Sequence, residues 1–535
     1  MSTVAPNSQL SSTPSDPAAL LDGVGEWVEA HGLIALLVLL AIYLCSELGH
    51  SLRIPLWHDE VFTWTIAQAP TLRQLLHLTQ TTDLNPPLSY LLTRACFHLF
   101  GVGTLQTRLP EIAGYGLALV CIFVFVRRRA GNAYGLLAAA ILLSSRGAEP
   151  AIDGRPYGLL YGFGALLLVV WQSSLIAQER GTRARVNNLL LVFTASAVLL
   201  THIFGLFLWA SVVAAEAARC YQLRRIVPSR LVALLLPLAA LWFYPPLLRN
   251  HAAALFPVEF QAHLTDILSY YFSRTSRDLV GLGFVAVLIV AVAGGAWFRP
   301  APRFVLNRPE WVALVCILAT PIAIIVHLTQ MHASFFNRYG DIATLGLAVL
   351  LAVLVCRWTA NRPAVAVCAS IILLSCSLRL QDAVRFAAHG DIFRHTEPII
   401  LPFQLAPLAN ADLPLVINSG LVFVEMNNHE SAPLLDRTFY LTGGTVAIHY
   451  THANIFENMS AEAQALHYRA HVEPYSEFFQ QHPHFYLLAS DRIYPEDWML
   501  RKLHDDGASL RLLGHVENSY RDHDLYEVDH SVATH

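Results

Sequence analysis

Apolar runs dominate this chain. They fall at about 31–48, 109–126, 133–147, 157–177, 188–203, 204–218, 231–248, 279–298, 311–328, 341–357 and 364–380. Most reach or approach the roughly 17–25 residues that a helix needs to cross a bilayer. A further run at 86–100 is shorter and opens on Asn-Pro-Pro, so the expected count is 11 to 13 spans. Composition agrees: of 535 residues 55% are hydrophobic and 14% charged, against about 25% charged in a soluble domain. The expected fold class is therefore a polytopic α-helical membrane protein. The net charge of −4 and the lack of a basic block argue against nucleic acid as a partner.

Arginine-rich links set the expected orientation, since basic residues stay on the cytoplasmic side. They are RRR at 127–129, RGTRAR at 180–185, RCYQLRRIVPSR at 219–230, RPAPRFVLNR at 299–308 and RWTANR at 357–362. The alternating links at 148–157, around 202–205, 249–278 and 329–340 then face outward. The first part conflicts with this parity. If 31–48, 86–100 and 109–126 all cross, RRR is left outside, so one segment does not fully span.

Residues 1–30 are rich in Ser, Pro and Ala and read as a disordered tail; the region 31–380 reads as the transmembrane domain. Residues 381–535 are polar, hold 14 of the 24 histidines and read as a small extracytoplasmic α/β domain. The stretches 413–426 and 482–490 read as strands, 460–471 and 495–507 as helices, and ASLRLLGHVE with HDLYEVD as a late strand pair. The eight cysteines lie in or beside apolar runs with no CxxC pair, which is the pattern of small core residues.

Chemistry-bearing side chains concentrate in the outward links. The first carries His58, Asp59, Glu60, Asp83 and Asn85; the second Glu149, Asp153, Arg155 and Tyr157. His202 sits between two spans, 249–278 carries Arg249, His251, His263, Asp266, Arg274 and Arg277, and 329–340 carries His332, Asn337, Arg338 and Tyr339. Carboxylates and arginines would thus meet at one membrane face. A carboxylate there can act as general base on an acceptor hydroxyl or amine, and arginines can hold a phosphate as it leaves. Asp59 and Glu60 point about 100° apart on a helix, so they take different roles.

In chain order these segments resemble a family. WHDEVFTWTIA resembles the first outer-loop acidic motif of the GT-C glycosyltransferases, and more closely that of glycosyltransferase family 39 and its aminoarabinose transferase-like bacterial relatives. NPPLSYLLTRACFHLFG at 85–101, TRLPEIAGYGLAL at 107–119, EPAIDGRPYGLL at 149–160, LLTHIFGLF at 199–207 and FFNRYGDIA at 335–343 continue the likeness over about the first 340 residues. The resemblance implies a GT-C membrane domain, a sugar donor on polyprenyl phosphate, and transfer outside the cytoplasm with inversion. Asp59 matches the general base and Glu60 its structural or acceptor-side partner. Arg338, with Arg155, matches the phosphate contacts. Asn85, Tyr339, His58, Asp153, Tyr157 and His202 complete the expected substrate-binding set. One departure is Asn85, where the family writes histidine.

Simpler readings stand beside these. Glu60 can be a loop-holding ion pair, Arg155 a side chain snorkelling to headgroups, His202 a satisfied buried histidine, and Trp57 and Trp64 interface-belt aromatics. Arg108 reads as structural at a helix start. The histidine-dense HYTH at 449–452 and HPH at 482–484 lack zinc-site spacing, so no metal is assigned. The resemblance alone leaves room for a divalent cation at Asp59. The expected protein is an enzyme of the bacterial inner membrane, with its site and C-terminal domain outside, acting on a glycan, lipid or protein acceptor. The competing classes are a flippase for lipid-linked sugars and an inactive GT-C scaffold that binds partners through its outer domain.

Overall fold

A computed structural model describes residues 17–530 apart from 84, 146–147, 149–152, 182–184, 254–260, 273–305, 360–361, 378–383, 385–386, 389–412, 453–465, 467, 491–497 and 517–522. Helices α1 (Pro17–Ala30), α2 (Gly32–Arg53), α3 (His58–Ala67), α4 (Leu72–Thr81), α5 (Leu88–Phe100), α6 (Thr104–Ala130) and α7 (Asn132–Ser144) form the first part. They are followed by α8 (Tyr157–Glu179), α9 (Arg185–Thr201), α10 (Gly205–Leu223) and the broken helix α11 (Pro228–Asn250). The bundle closes with α12 (Arg308–Leu318), α13 (Thr320–Gln330), α14 (Asn337–Trp358) and α15 (Pro363–Cys376). Among the described residues five helices are long and apolar enough to cross a membrane: α2, α6, α8, α11 and α14. The pair α12–α13, bent by 42°, makes a sixth. Helices α7, α9 and α15 are apolar but shorter, and the expected span at 279–298 lies outside the described residues. This is an integral membrane protein.

The topology conflict of the first segments has a structural answer. Helix α5 has 13 residues, about 20 Å at 1.5 Å per residue, short of a core about 30 Å thick. Its Arg94 donates to the Ala67 carbonyl at the end of α3, and Tyr90 packs in one apolar cluster with Ile66, Leu75 and Leu78. Thus α3, α4 and α5 pack together as short helices on one side. With α5 not crossing, RRR joins the other arginine links on a common side.

The expected tail is corrected in its second half. Residues 17–30 form α1, whose Gly25 lies so close to Ala364 of α15 that a Cβ would reach 2.7 Å from the Ala364 Cα. Glu29 also accepts from the backbone N–H groups of Asn132 and Ala133 at 3.0 Å, capping α7 from outside. Residues 1–16 lie outside the described residues.

After the bundle comes a six-stranded sheet: β1 (Leu415–Ile417), β2 (Thr438–Thr442), β3 (His471–Pro474), β4 (His484–Ala489), β5 (Ser509–Val516) and β6 (His523–Asp529), in the order β3-β2-β1-β4-β6-β5. The first four are parallel; β6 pairs antiparallel with both β4 and β5. The expected strand over 413–426 stops at Ile417. The Ser419 hydroxyl accepts from the Val422 N–H at 3.3 Å and starts α16 (Gly420–His429). A short apolar run fits strand or helix equally, and the serine cap decided it. The 495–507 helix is α17 (Trp498–Asp505); that expected at 460–471 falls mostly outside the described residues.

Small residues set the bundle's closest contact. Gly158 and Gly162 of α8 face Gly114 of α6, and a Cβ on Gly114 would stand 2.6 Å from the Gly158 carbonyl. Such glycines let membrane helices approach backbone to backbone. Gly114→Ala is expected to push α6 from α8 and cost about 1–3 kcal/mol by overpacking. A lower thermal unfolding midpoint of the full-length protein in detergent checks this; an unchanged midpoint refutes it.

Candidate active site

Glu60 organises the start of α3. It is fully buried, and Arg108 of α6 grips both carboxylate oxygens, with Nε and Nη2 each at 2.6 Å. The Gly154 N–H donates to it at 2.6 Å and the Trp57 N–H at 3.2 Å. The remaining Arg108 donors reach the Ile54 and Pro55 carbonyls at 2.9 and 3.1 Å. A buried pair repays its desolvation only when its other lone pairs and protons are also matched, and here they are. Glu60 is thus engaged in holding the 54–60 turn against α6 and the 153–155 loop. The expectation that placed it beside Asp59 in the chemistry is resolved toward its holding role.

Asp59 points elsewhere. Its Oδ2 lies 2.8 Å from Arg338 Nη2, its Oδ1 3.7 Å from His58 Nε2, and its backbone carbonyl accepts from Arg155 Nη1 at 3.2 Å. Burial raises its pKa, but Arg155, Arg338 and His58 outweigh this and hold the carboxyl below its ordinary value. Asp59 Oδ2 is engaged by Arg338, whereas Oδ1 stands beyond hydrogen-bond distance of the His58 ring.

The second arginine is tied back. Arg155, buried, forms an ion pair with Asp83, which also accepts from the Tyr90 hydroxyl. Asn85, also buried, donates to the Asp83 backbone carbonyl at 3.2 Å and so serves the same turn. Arg338 lies over the rings of Phe336, Trp57 and Tyr339 at 5.1, 5.3 and 5.9 Å, an aromatic cage that stabilises a cation. Tyr339 packs on Phe204, which stacks near His202, itself 5.3 Å from the Tyr157 ring. His202 Nδ1 accepts from the Phe204 N–H at 3.1 Å, so the neutral ring carries its proton on Nε2. Burial, then Arg155 and Arg338, push its pKa down to about 3. It is the satisfied buried histidine of the simpler reading.

Asp153 lies within electrostatic reach of Glu60, Arg108, Arg338 and Asp59. Burial and then Glu60 raise its pKa to about 7, against the pull of the two arginines. Three donors in this group have no acceptor among the described residues: Arg155 Nε, Arg338 Nε and Trp57 Nε1. Buried N–H groups are rarely left so, and an anion would satisfy them. Among the described residues no three His, Cys, Asp or Glu side chains converge for a metal, and Asp59 already faces guanidinium charge.

The structure gathers His58, Asp59, Glu60, Asn85, Asp153, Arg155, Tyr157, His202, Arg338 and Tyr339 around one site, linked by the contacts above. Arg249 instead donates to its own Pro245 carbonyl, and His263 and Asp266 cap a short local helix. Glu149, Arg274 and Arg277 lie outside the described residues. Sequence reasoning placed Asp83 in the first outward link without a role, passed over Tyr90 within the 85–101 stretch, and gave Trp57 only an interface role. It missed Glu425 of α16, whose Oε1 lies 2.9 Å from both the His58 backbone N and Nδ1. Nothing in the local sequence links two residues so far apart.

No protein-family model matches the chain, and no curated protein sequence does. Two solved structures share its fold. ArnT from Cupriavidus metallidurans bound to undecaprenyl phosphate superposes with a TM-score of 0.52 at 14% identity, covering 94% of this chain and 98% of that one. ArnT from the same organism in the apo state gives 0.51 at 15% identity with the same coverage. The chain thus shares the fold of these two structures over nearly its whole length.

Two outcomes follow for stability. Arg108→Ala strands Glu60 as an unpaired buried charge and is expected to cost about 3–5 kcal/mol, read as a large fall in the unfolding midpoint. For Asp153, a folded pKa raised to about 7 gives stability that is full below the ordinary carboxyl value near 4 and lost as pH rises through 7. The wild-type midpoint should therefore fall between pH 5 and 8, and Asp153→Asn should flatten that slope. Parallel slopes for the two proteins count against the shift.

Proposed function

We propose that this protein is an integral membrane glycosyltransferase that moves a sugar from a polyprenyl-phosphate donor to an acceptor at the outer face of a bacterial inner membrane. The observation that carries this reading is Asp59: a carboxyl held below its ordinary pKa and paired with Arg338, beside two guanidiniums whose Nε–H groups lack acceptors among the described residues.

The chemistry follows from these groups. Asp59 takes the proton of an acceptor hydroxyl or amine as that atom attacks the anomeric carbon. The bond from this carbon to the phosphate oxygen breaks on the opposite face, so the configuration inverts. Polyprenyl phosphate leaves with the bonding electrons. Arg338, and Arg155 through its unused Nε–H, meet the charge that develops on the phosphate oxygens. Both arginines already face a carboxylate; Arg338, whose side chain is the more exposed of the two, is the main phosphate contact. Tyr157, neutral His202, Phe204 and Tyr339 pack in a row beside Arg338 and add no charge of their own. Asn85 supports the Asp83 turn, a role that its amide performs without the family's histidine. ArnT, alike in fold over nearly its whole length, was solved with undecaprenyl phosphate bound, which supports this class of lipid carrier.

The test is Asp59→Asn in membranes supplied with a panel of undecaprenyl-phosphate-linked sugars. Sugar transfer is expected to fall about a hundredfold or more, the usual contribution of a general base, while undecaprenyl phosphate still binds. Full retained transfer removes Asp59 as the base. Movement of the intact lipid-sugar across the membrane with no turnover would favour the flippase class.

A further inference from the structure

Helix α16 of the outer domain touches the site, and the contact is specific. Helix α16 presents Glu425 and, one turn later, His429 to the segment leading into α3. Glu425 Oε1 lies 2.9 Å from the His58 backbone N and 2.9 Å from His58 Nδ1, with the pair almost fully buried. His429 Nε2 lies 2.6 Å from the Leu56 carbonyl oxygen. Leu56 and Val61 share a core with Val422, Phe423 and Met426 of α16 and with the β1 residues Leu415 and Ile417.

His58 is the first residue of α3, so its backbone N–H has no partner within the helix. A carboxylate from another element supplies that partner and places negative charge at the positive end of the helix. As a carboxylate, Glu425 can only accept, so His58 Nδ1 carries the hydrogen and Nε2 is the ring nitrogen turned toward Asp59, 3.7 Å away.

We infer that Glu425 is a positioning residue for the Asp59 site: it caps α3 from the outer domain and fixes the His58 ring, so the outer domain is part of the catalytic unit. This rests on the reading of Asp59 as the base. The outer domain is then no detachable acceptor-binding module. The turn that presents Asp59 is held from below by Arg108 through Glu60 and from above by Glu425 through His58.

Hydrogen exchange of the full-length protein in lipid nanodiscs, read on peptides spanning residues 56–62, tests this. Glu425→Ala should speed exchange of the first-turn amides about tenfold or more, as expected for loss of a charge-assisted hydrogen bond. Glu425→Gln, which keeps a side-chain oxygen, should restore protection to within about twofold of wild type, a rescue that a general loosening of the domain would not give. Amides of β4 monitor the fold; if the Ala variant does not fold, Glu425→Asp, too short to reach both donors, takes its place. First-turn exchange equal to wild type in the Ala or Asp variant, or no rescue by Gln, overturns the inference. Binding of undecaprenyl phosphate to the wild-type protein is measured alongside. Its absence sinks the donor reading and leaves the exchange result to stand or fall alone.

Discussion

The buried pair of Glu60 and Arg108 is the constraint on which the site depends. Two charges taken out of water cost several kcal/mol each unless geometry repays them. Here the guanidinium fork spends its donors on one carboxylate and on two carbonyls of the turn before α3. The carboxylate in turn accepts from the 154 loop and from the α3 cap position. One pair therefore fixes α3, α6 and the loop leading to α8 relative to each other. Helical geometry does the rest. With Glu60 turned toward Arg108, the adjacent Asp59 must point about 100° away, and that direction holds Arg338. The two neighbouring acids have separate roles because a helix cannot aim both at one place.

Charge balance in the site limits what can bind there. Asp59, Glu60, Asp83 and Asp153 supply four carboxyl groups; Arg108, Arg155 and Arg338 supply three guanidiniums. Three of the acids have a dedicated arginine. Asp153 is the surplus, and burial, followed by Glu60, raises its pKa. With its proton held, these four acids and three arginines balance. An arriving phosphate finds no uncompensated positive charge. It finds directed donors instead, on Arg155, Arg338 and Trp57. Recognition by oriented N–H groups in a partly desolvated site lets an anion bind and also leave, as a turnover enzyme requires.

The convergence of the outer links was legible in the sequence, because apolar runs of span length leave only a few places for charge, and alternation puts those places on one side. WHDE, GRPY and NRY meet for that reason. Other features were not legible. Helix α5 is apolar enough in outline to count as a span, and only its packing through Tyr90 and Arg94 excludes it. The end of β1 turned on a single serine hydroxyl. Whether Arg155 binds phosphate freely or is tied to Asp83 depends on side-chain geometry that spacing does not encode. The tautomer of neutral His202 follows from a backbone N–H two residues on, a contact that exists only once the turn between α9 and α10 has formed.

The link between Glu425 and His58 carries this reasoning into assembly. Its partners are 367 residues apart, and the core that buries it joins Leu56 and Val61 to the first strand of the sheet. Closing a contact over such a distance costs loop entropy that no local interaction repays. The Arg108 grip on Glu60 spans only 48 residues and can form as soon as α6 is in place. The lower half of the Asp59 turn is therefore set early, by the membrane helices. The upper half waits for the outer domain to fold and dock. The turn that presents Asp59 is therefore complete only once the C-terminal domain has docked on α3.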